Sequence, residues 1–336
     1  MAELYRPGGP AAAKSAAPVS LQFTGSAGEY FRIWIVNLCL NVVTLGLYSP
    51  WAKVRRKRYF YGSTLLEGSA FEYTGNPVAI LKGRLLVLAV FVIYSLAQEI
   101  VPLLSLALAL AVLAIMPWII QRALQFNARN SLHRNVRFGF HGGKMQILGV
   151  LLIAVLLVPV TLGIGYPWYL AMKRRLFVEN SSFGSARFAF AATTGEYYVA
   201  AMKISFAFFG FLAGSIVTLG IGLLPLYLLL RAYAEAALAR LAWSRTTLAG
   251  QAAEIRFDCG WTAGGLFGLY FVNALGVLLS LGLLVPWAAI RSARYKLERI
   301  TLHSPQGPAS FLAAAEQDVA AIGDEAGELL GFDFGL

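Results

Sequence analysis

The residue types that most often carry chemistry are few and scattered in this sequence. The three histidines, His133, His141 and His303, lie in polar loops, where they are not expected to bind a metal. No HExxH, Walker-type, GxSxG or spaced carboxylate motif occurs. The cysteines, Cys39 and Cys259, form neither a CxxC pair nor a disulfide framework. We therefore predict no catalytic residue, no metal, no cofactor and no enzymatic activity.

Polar residues inside the long apolar runs are better candidates for a functional role. Asn37 and Asn41 are one helical turn apart and would share one helix face. Asn273 precedes Pro286 by the same interval that separates Asn37 from Pro50. Polar side chains at such positions either line a pathway or join helices by hydrogen bonds. Hydrogen bonding between helices is the simpler interpretation, and a substrate pathway stays open.

The composition indicates what kind of protein must position these residues. Of the 336 residues, 58% are hydrophobic and 13% are charged, against about 25% charged in a typical soluble domain. This composition excludes a disordered chain, a secreted disulfide scaffold and an ordinary cytosolic enzyme. It is typical of a protein embedded in a membrane.

The net charge of +11 is unevenly distributed along the chain. Residues 304–336 hold six acidic and no basic residues, so the preceding chain carries 28 basic against 11 acidic side chains. Many of the basic residues lie at the ends of apolar runs, as in the cytoplasmic loops of membrane proteins. We therefore predict anionic lipid headgroups as partners and no nucleic acid.

A short alternating segment with an aromatic residue recurs five times. An apolar run follows each segment, and each run leads to a proline, with tryptophan next in four units. Four runs end in a Thr-Leu-Gly or Ser-Leu-Gly turn, which the second unit lacks. Proline suits the first turn of a helix and tryptophan the headgroup layer, so we interpret this motif as a hinge at the membrane interface. The hinge residues are Pro50, Trp51, Pro117, Trp118, Pro167, Trp168, Pro225, Pro286 and Trp287.

A basic stretch follows every one of these prolines, and the five stretches hold 22 of the 28 basic residues. We interpret them as topology signals and headgroup contacts rather than as a ligand site. The candidates are Arg55, Arg56, Arg58, Arg122, Arg174, Arg175, Arg231, Arg291 and Arg294.

These patterns predict a mainly α, polytopic helical membrane protein of about five repeated units. Short β-strands or hairpins are expected in the connecting loops. The predicted units are about 21–70, 71–137, 138–187, 188–254 and 255–303. Residues 1–20 are expected to be a disordered arm, and residues 304–336 an acidic tail.

The number of membrane crossings stays open. A span needs about 20 apolar residues, and counting the runs gives seven crossings. Seven would place some basic stretches outside the cell, against the positive-inside rule. If all basic stretches share the cytoplasmic side, the short units must be re-entrant hairpins. We favour this same-side arrangement because the strands look like mutual partners.

Two segments resemble a known family. The motif Thr-Leu-Gly-Leu-Tyr-Ser-Pro-Trp at residues 44–51, with the basic residues after it, and Asn-Val-Arg-Phe-Gly-Phe-His-Gly at residues 135–142 resemble the YjgN-like bacterial inner-membrane proteins. The likeness covers about residues 20–303. It implies a multi-pass inner-membrane protein and no activity. The second unit's turn, the fourth unit's missing tryptophan and the acidic tail depart from the pattern.

Two classes of function are compatible with these features. The first is a transporter, channel or lipid-handling protein whose units enclose a path lined by the three asparagines. The second is a membrane scaffold or assembly partner whose basic cytoplasmic rim binds anionic lipid or another protein. The sequence does not decide the oligomeric state or a protein partner.

Overall fold

The computed structural model describes residues 18–100, 102–218, 222–249 and 254–304. Pairs of helices alternate with short strands along this part of the chain. Most of the predicted N-terminal arm and all but the first residue of the acidic tail lie outside the described residues. Val19 and Ser20, at the end of the predicted arm, form a strand.

Each pair of helices packs as an antiparallel hairpin between two strands, and we number these hairpins 1 to 5 in chain order. Neighbouring helices contact each other around the molecule, and the last contacts the first. The helices are α1 (Ala27–Val43) and α2 (Ser49–Gly62), α3 (Pro77–Ile100) and α4 (Pro102–Arg129), α5 (Lys144–Val160) and α6 (Tyr166–Glu179), α7 (Thr194–Val217) and α8 (Leu223–Ser244), and α9 (Ala263–Leu279) and α10 (Val285–Leu297).

The helix ends follow from local sequence. A proline occupies the first turn of α2, α6 and α10, where its missing N–H costs nothing. Thr193 caps α7 by accepting a hydrogen bond from the Glu196 amide, and the Glu196 carboxylate accepts one from the Thr193 amide in return. In α5 the residues Ile153–Leu157 form a π-helical turn.

Eleven strands of the described chain form one antiparallel sheet in the order β1-β11-β10-β9-β8-β7-β6-β5-β4-β3-β2. β1 and β2 flank Leu21, so one short stretch pairs with the last strand and with the third. The sheet is therefore a nearly closed barrel. Its strands are β1 (Val19–Ser20), β2 (Gln22–Phe23), β3 (Thr64–Leu66), β4 (Ser69–Tyr73), β5 (Ser131–His133), β6 (Val136–Phe140), β7 (Ser181–Phe183), β8 (Ala186–Phe190), β9 (Thr246–Ala249), β10 (Glu254–Cys259) and β11 (Ile300–His303).

The register places the ends of the helical hairpins at one edge of this sheet. Tyr73 pairs with Ser131, and Phe140 pairs with Ser181, at strand ends that lead into helices. The β-turns, such as residues 134–135, lie at the opposite edge. All five hairpins thus project from the same edge of the sheet.

Side chains in β6, β8 and β10 alternate between the sheet interior and its outer face. Val136 is buried and Arg137 is exposed, and the same holds for Ala186 and Arg187. The interior is filled by apolar side chains from strands around the sheet. The buried members are Leu66, Val136, Phe183, Ala186, Leu248, Ile255, Ile300 and Leu302.

This sheet shows that the predicted fold class was wrong. The prediction of a polytopic helical protein left the strands in connecting loops, whereas the described strands form one sheet with its own core. The strands have only two to six residues each, too few to signal a sheet by themselves. Their partners across the unit boundaries lie beyond whole helical hairpins in the sequence, as Phe71 and His133 do.

Three described segments are long and apolar enough to cross a membrane: Pro77–Ala97, Leu106–Arg129 and Thr194–Val217. The helices Lys144–Val160 and Ala263–Leu279 are apolar but shorter. The count of seven crossings is therefore not reached by the described helices on length and composition.

Candidate functional site: a central cavity

A cavity of 630 Å³ lies where the sheet interior meets the second helices of the hairpins, and we call it the central cavity. Its strand wall includes Phe71, Phe138 and Phe188. The second helix of every hairpin also contributes to the wall, so the cavity lies at the centre of the ring of helical hairpins. These helical residues include Phe60, Leu124, Phe177, Trp243 and Leu297.

Aromatic rings from the strands line the sheet side of the central cavity. The rings of Phe71 and Phe138 are stacked with centroids 6.5 Å apart. Phe138 in turn contacts Phe183 of the packed interior at 4.9 Å, and Phe188 contacts Phe257 at 6.1 Å. Because the sheet interior behind these rings is filled, the cavity ends against it.

Hydroxyl groups at the helix-to-strand junctions also line the cavity, but they are already satisfied. The Thr64 hydroxyl donates to the Phe60 carbonyl at 2.8 Å, and the Ser131 hydroxyl donates to the Asn127 carbonyl at 2.9 Å. Ser181 and Thr246 repeat this bond with the carbonyl four residues earlier. This part of the wall therefore presents no free hydroxyl donor despite its polar residue types.

Cationic groups lie at the helical side of the cavity. Arg174 contributes to the wall, and so does Asn127, whose Oδ1 accepts a 2.7 Å hydrogen bond from Lys57 Nζ. Lys57 Nζ also lies 4.4 Å from the centre of the Tyr73 ring. Burial lowers the pKa of Lys57 below its usual value, and the nearby Lys53 and Arg56 lower it further. An anionic group here would offset both the desolvation and the repulsion between cations.

A second cavity of 490 Å³ adjoins the central cavity between hairpins 2, 3 and 4. Leu124, Arg174 and Phe177 line both cavities. Lys173 and Tyr197 line only the second one. The central cavity and the second cavity, which lies between hairpins, therefore share part of their walls.

His133 occupies a position that the sequence analysis misread as a polar loop. It lies in β5, its side chain is 0% exposed, and neither ring nitrogen has a hydrogen-bond partner. Its ring centre is 4.4 Å from that of Phe71. Aligning the units would have revealed it, because the matching strand ends carry Leu66, Phe183 and Leu248.

Asn37 and Asn273 are buried and Asn41 is half-buried, and none of the three lines either cavity. Asn273 joins the helices of hairpin 5, since its Nδ2 donates to Ser292 Oγ at 3.0 Å and to the Ala288 carbonyl at 3.3 Å. The side-chain oxygens of Asn37 and Asn41 are buried and have no hydrogen-bond partner. The structure thus does not bring the three residues together around one path.

The hinge residues occupy two kinds of position. Pro50, Pro167 and Pro286 are buried in the first turn of the second helix. Pro225 is the third residue of α8, whereas Pro117 lies inside the long helix α4. The four tryptophans flank these sites and are half-buried or exposed; they are Trp51, Trp118, Trp168 and Trp287.

Several of the basic residues contact the protein itself. Arg58 donates to the carbonyls of Tyr73 and Gly75, and Arg175 donates to the Ala192 carbonyl at 3.3 Å. Arg294 donates to the Gly25 carbonyl at 3.0 Å. Each bond joins a second helix to the start of a neighbouring hairpin. The guanidinium groups of Arg122, Arg231 and Arg291 lie over the rings of Trp118, Tyr270 and Trp287, while Arg55 contacts the Tyr48 hydroxyl and Arg56 is exposed.

Among the described residues no group of three or more His, Cys, Asp or Glu side chains could hold a metal ion. The central cavity itself was not predicted, because it forms only when the sheet closes. Its sequence signals are the first aromatic residues of the recurring strand segments, such as Phe71, Phe138 and Phe188.

Comparison with known proteins identifies relatives by sequence. A family model described as "Bacterial protein of unknown function (DUF898)" matches residues 18–223 and 213–329. The inner membrane protein YjgN of Salmonella typhimurium is 36% identical over 122 residues, which are 36% of this chain and 31% of that protein. YjgN of Escherichia coli O157:H7 is 30% identical over 165 residues, 48% of this chain and 40% of that protein. The matches thus span less than half of these relatives. No solved structure matches the chain.

Proposed function

Because the chain belongs to the DUF898 family and its relatives are named inner membrane proteins, we propose that it is a lipid-handling protein of the bacterial inner membrane. In this proposal the central cavity takes up the hydrocarbon part of an anionic membrane amphiphile. The observation that carries the proposal is the 630 Å³ apolar cavity at the centre of the ring.

The size and lining of the cavity support a hydrocarbon occupant. Its volume lies in the range of about 300–1,000 Å³ that holds small organic ligands. Aromatic rings and aliphatic side chains make most of its wall. An acyl chain that moves from the bilayer into such a cavity exchanges one apolar environment for another. The free energy of its uptake is therefore small, and the lipid can be released again. Reversible uptake is what lipid handling requires.

Selectivity must then come from the headgroup. Lys57 and Arg174 place positive charge beside an apolar wall, and the chain before residue 304 has an excess of 17 positive charges. A charge-assisted contact to a phosphate or carboxylate is stronger than a neutral hydrogen bond. These cations favour an anionic amphiphile over a zwitterionic one.

Passage of a water-soluble solute has less support than lipid binding. The sheet interior is filled by apolar side chains such as Val136 and Phe183, and the cavity ends against it. Lipid could instead enter from the side through the second cavity, which adjoins the first between hairpins. A transporter or channel would need a solute pathway that does not pass through this packed sheet interior.

The basic residues also support a sidedness for the protein. The second helices carry most of the basic stretches, and they run back to the sheet. By the positive-inside rule the sheet then lies at the cytoplasmic face, with the hairpins entering the membrane from there.

The fivefold alternation of hairpins and strands supports descent from a repeated unit.

The test uses Trp243, which lines the central cavity. Detergent-solubilised full-length protein is titrated with phosphatidylglycerol that carries brominated acyl chains. The difference in tryptophan quenching between wild type and Trp243→Phe isolates the signal of the cavity. We expect saturable quenching, because a defined cavity holds a limited number of chains.

Two variants sharpen this test. Ala128→Phe places a large side chain in the central cavity and should abolish the saturable quenching. Ala189→Phe, on the exposed outer face of β8, should not. Arg174→Gln should weaken binding several-fold for brominated phosphatidylglycerol and not for brominated phosphatidylcholine. Quenching that rises linearly with lipid and equally in all variants would contradict the proposal.

A further inference from the structure

The tips of hairpins 1, 3 and 5 share an unusual local structure. Each tip is a five-residue turn, at residues 44–48, 161–165 and 280–284. The second residue of each turn is a leucine with positive φ, between 50° and 51°, and the third is a glycine with φ between 88° and 92°. These leucines, Leu45, Leu162 and Leu281, are 93–94% exposed.

A leucine at such a position is unfavourable for a turn in water. A positive φ strains a leucine because of its Cβ, whereas glycine has no Cβ and asparagine tolerates this conformation better. Full exposure of leucine to water adds a second penalty. The same two penalties recur at three separate tips, so they point to surroundings in which an exposed leucine is favourable.

The backbone of each tip satisfies itself. In hairpin 1 the amides of residues 44–47 donate to carbonyls of the same turn or the end of α1. The Tyr48 amide donates to Thr44 Oγ1 at 3.0 Å, while that hydroxyl donates to the Leu40 carbonyl at 2.6 Å. The Ser49 amide then donates to the Gly46 carbonyl at 3.0 Å.

The other two tips repeat the amide bonds of this network; the Thr161 hydroxyl also donates to the carbonyl four residues earlier, whereas the Ser280 hydroxyl donates to the Val277 carbonyl. Thr161 Oγ1 accepts from the Gly165 amide at 2.8 Å, and Ser280 Oγ accepts from the Leu284 amide at 3.0 Å. All remaining amides of both turns also donate to carbonyls of the turn or the preceding helix. Hydrocarbon offers no hydrogen-bond partners, so non-helical backbone within it must satisfy its polar groups internally. These turns meet that requirement at every amide.

The lengths of the hairpins set how far the tips reach. α1 has 17 residues and is about 26 Å long, and basic residues begin one turn after Pro50 in α2. With Trp51 at the headgroup level, only the first two residues of α2 and the five-residue turn lie deeper, so the tip reaches roughly 10 Å into a hydrocarbon core about 30 Å thick. By contrast α3 and α4 are about 36 and 42 Å long. Hairpin 2 is therefore long enough to cross, and the short hairpins are not.

We infer that hairpins 1, 3 and 5 are re-entrant wedges whose tips bind the hydrocarbon layer of the leaflet nearest the sheet. The exposed leucines and their apolar neighbours, such as Val43 and Val160, are the lipid-binding surface. The Thr-Leu-Gly turn, which is Ser-Leu-Gly in hairpin 5, lets the polypeptide reverse direction inside that layer. This inference does not depend on what the central cavity binds.

The experiment measures the depth of each tip in liposomes. Full-length protein with Cys39→Ser and Cys259→Ala carries a single cysteine in place of Leu45, Leu162 or Leu281, labelled with an environment-sensitive fluorophore. Lipids with a quencher on the acyl chain are compared with aqueous iodide. Arg55→Cys, on the exposed basic face of α2, is the matched control in the same hairpin as Leu45.

We expect the acyl-chain quencher to act on all three tips at least threefold more strongly than iodide, and the reverse order at Arg55→Cys. Tips quenched mainly by iodide in the outer solution would overturn the inference, because they would lie in water. Iodide quenching that appears only when iodide is trapped inside the liposomes, on the side opposite the sheet, would also overturn it, because the hairpins would then cross. Retention of the wild-type elution volume shows that each labelled variant is folded.

Discussion

The sheet and the helical hairpins expose opposite kinds of surface. In the sheet, apolar side chains such as Val136 and Ala186 point inward, and charged residues such as Arg137 and Arg187 point outward. In the hairpins, leucine, valine and phenylalanine side chains cover the outer surface. The outer face of the sheet therefore suits water, and the outer surface of the hairpins suits lipid.

The junctions themselves are built alike in most hairpins. The ring of Phe23 covers Gly25, that of Tyr73 covers Gly75, and that of Phe140 covers Gly142. Arginine side chains from the second helices then bind carbonyls at these junctions, as Arg294 does at Gly25. Part of the basic character that resembled a lipid-binding rim therefore holds neighbouring hairpins together.

The largest effect that separates the two surfaces is expected from a charge in the sheet interior. Ala186→Asp buries a carboxylate among apolar side chains and should cost about 3–5 kcal/mol of stability. The neighbouring Arg187→Asp lies on the outer face and should change stability by no more than about 0.5 kcal/mol. Thermal unfolding in detergent measures both, and equal losses would contradict the account of the sheet.

A smaller effect is expected at a junction. Gly142→Ala would place a Cβ 2.6 Å from the Phe140 ring, so the ring must move, at a cost of about 1–3 kcal/mol. Hairpin 4 has Ala192 at the matching place, which makes Ala192→Gly the control with a smaller change. The same unfolding assay compares them. If Gly142→Ala unfolds like wild type, the covering of the junction by the ring has no role.

The smallest effect concerns pH. Burial lowers the pKa of His133 below its usual 6.5, and the nearby Arg134 lowers it further, against a smaller opposing influence of the Ala70 backbone. Below pH 6.5 the unfolded chain binds a proton that the folded chain resists, so stability is lost as the pH falls. The slope is at most about 1.4 kcal/mol per pH unit.

His133→Phe should remove this pH dependence, because phenylalanine has no titratable group. The replacement should fit, because Phe183 occupies the matching position of its strand. His141→Gln, in an exposed residue, should leave it in place. Unfolding temperatures at pH 7.5 and 5.5 check both variants. A loss at pH 5.5 that is unchanged in His133→Phe would show that other groups cause it.

The hairpins could be predicted from the sequence to a large extent. Thr44, Thr161 and Ser280 mark turns, and Pro50, Pro167 and Pro286 mark the helices that follow them. These features are local, because their hydrogen bonds join residues a few positions apart. Asn273 bonds between the two helices of hairpin 5, whereas the side-chain oxygens of Asn37 and Asn41 have no hydrogen-bond partner.

The sheet and the cavity could not be predicted, because they depend on distant pairs. Val19 pairs with Leu302 across almost the whole described chain, and no short pattern announces that contact. Without the closed sheet, His133 looks like a loop residue and Phe188 like part of an isolated strand. The fold class was wrong for this reason, although the strands themselves were recognised.

The most direct test of the central claim asks whether the outer face of the sheet lies on a single side of the membrane. Single cysteines replace Glu72, Arg187 and Arg256, three exposed residues on β4, β8 and β10, in the Cys39→Ser, Cys259→Ala background. We predict that all three react with an impermeant maleimide in inside-out membrane vesicles and that none reacts in intact spheroplasts. Reaction of any two of these sites from opposite faces would contradict the closed sheet with all hairpins at one edge.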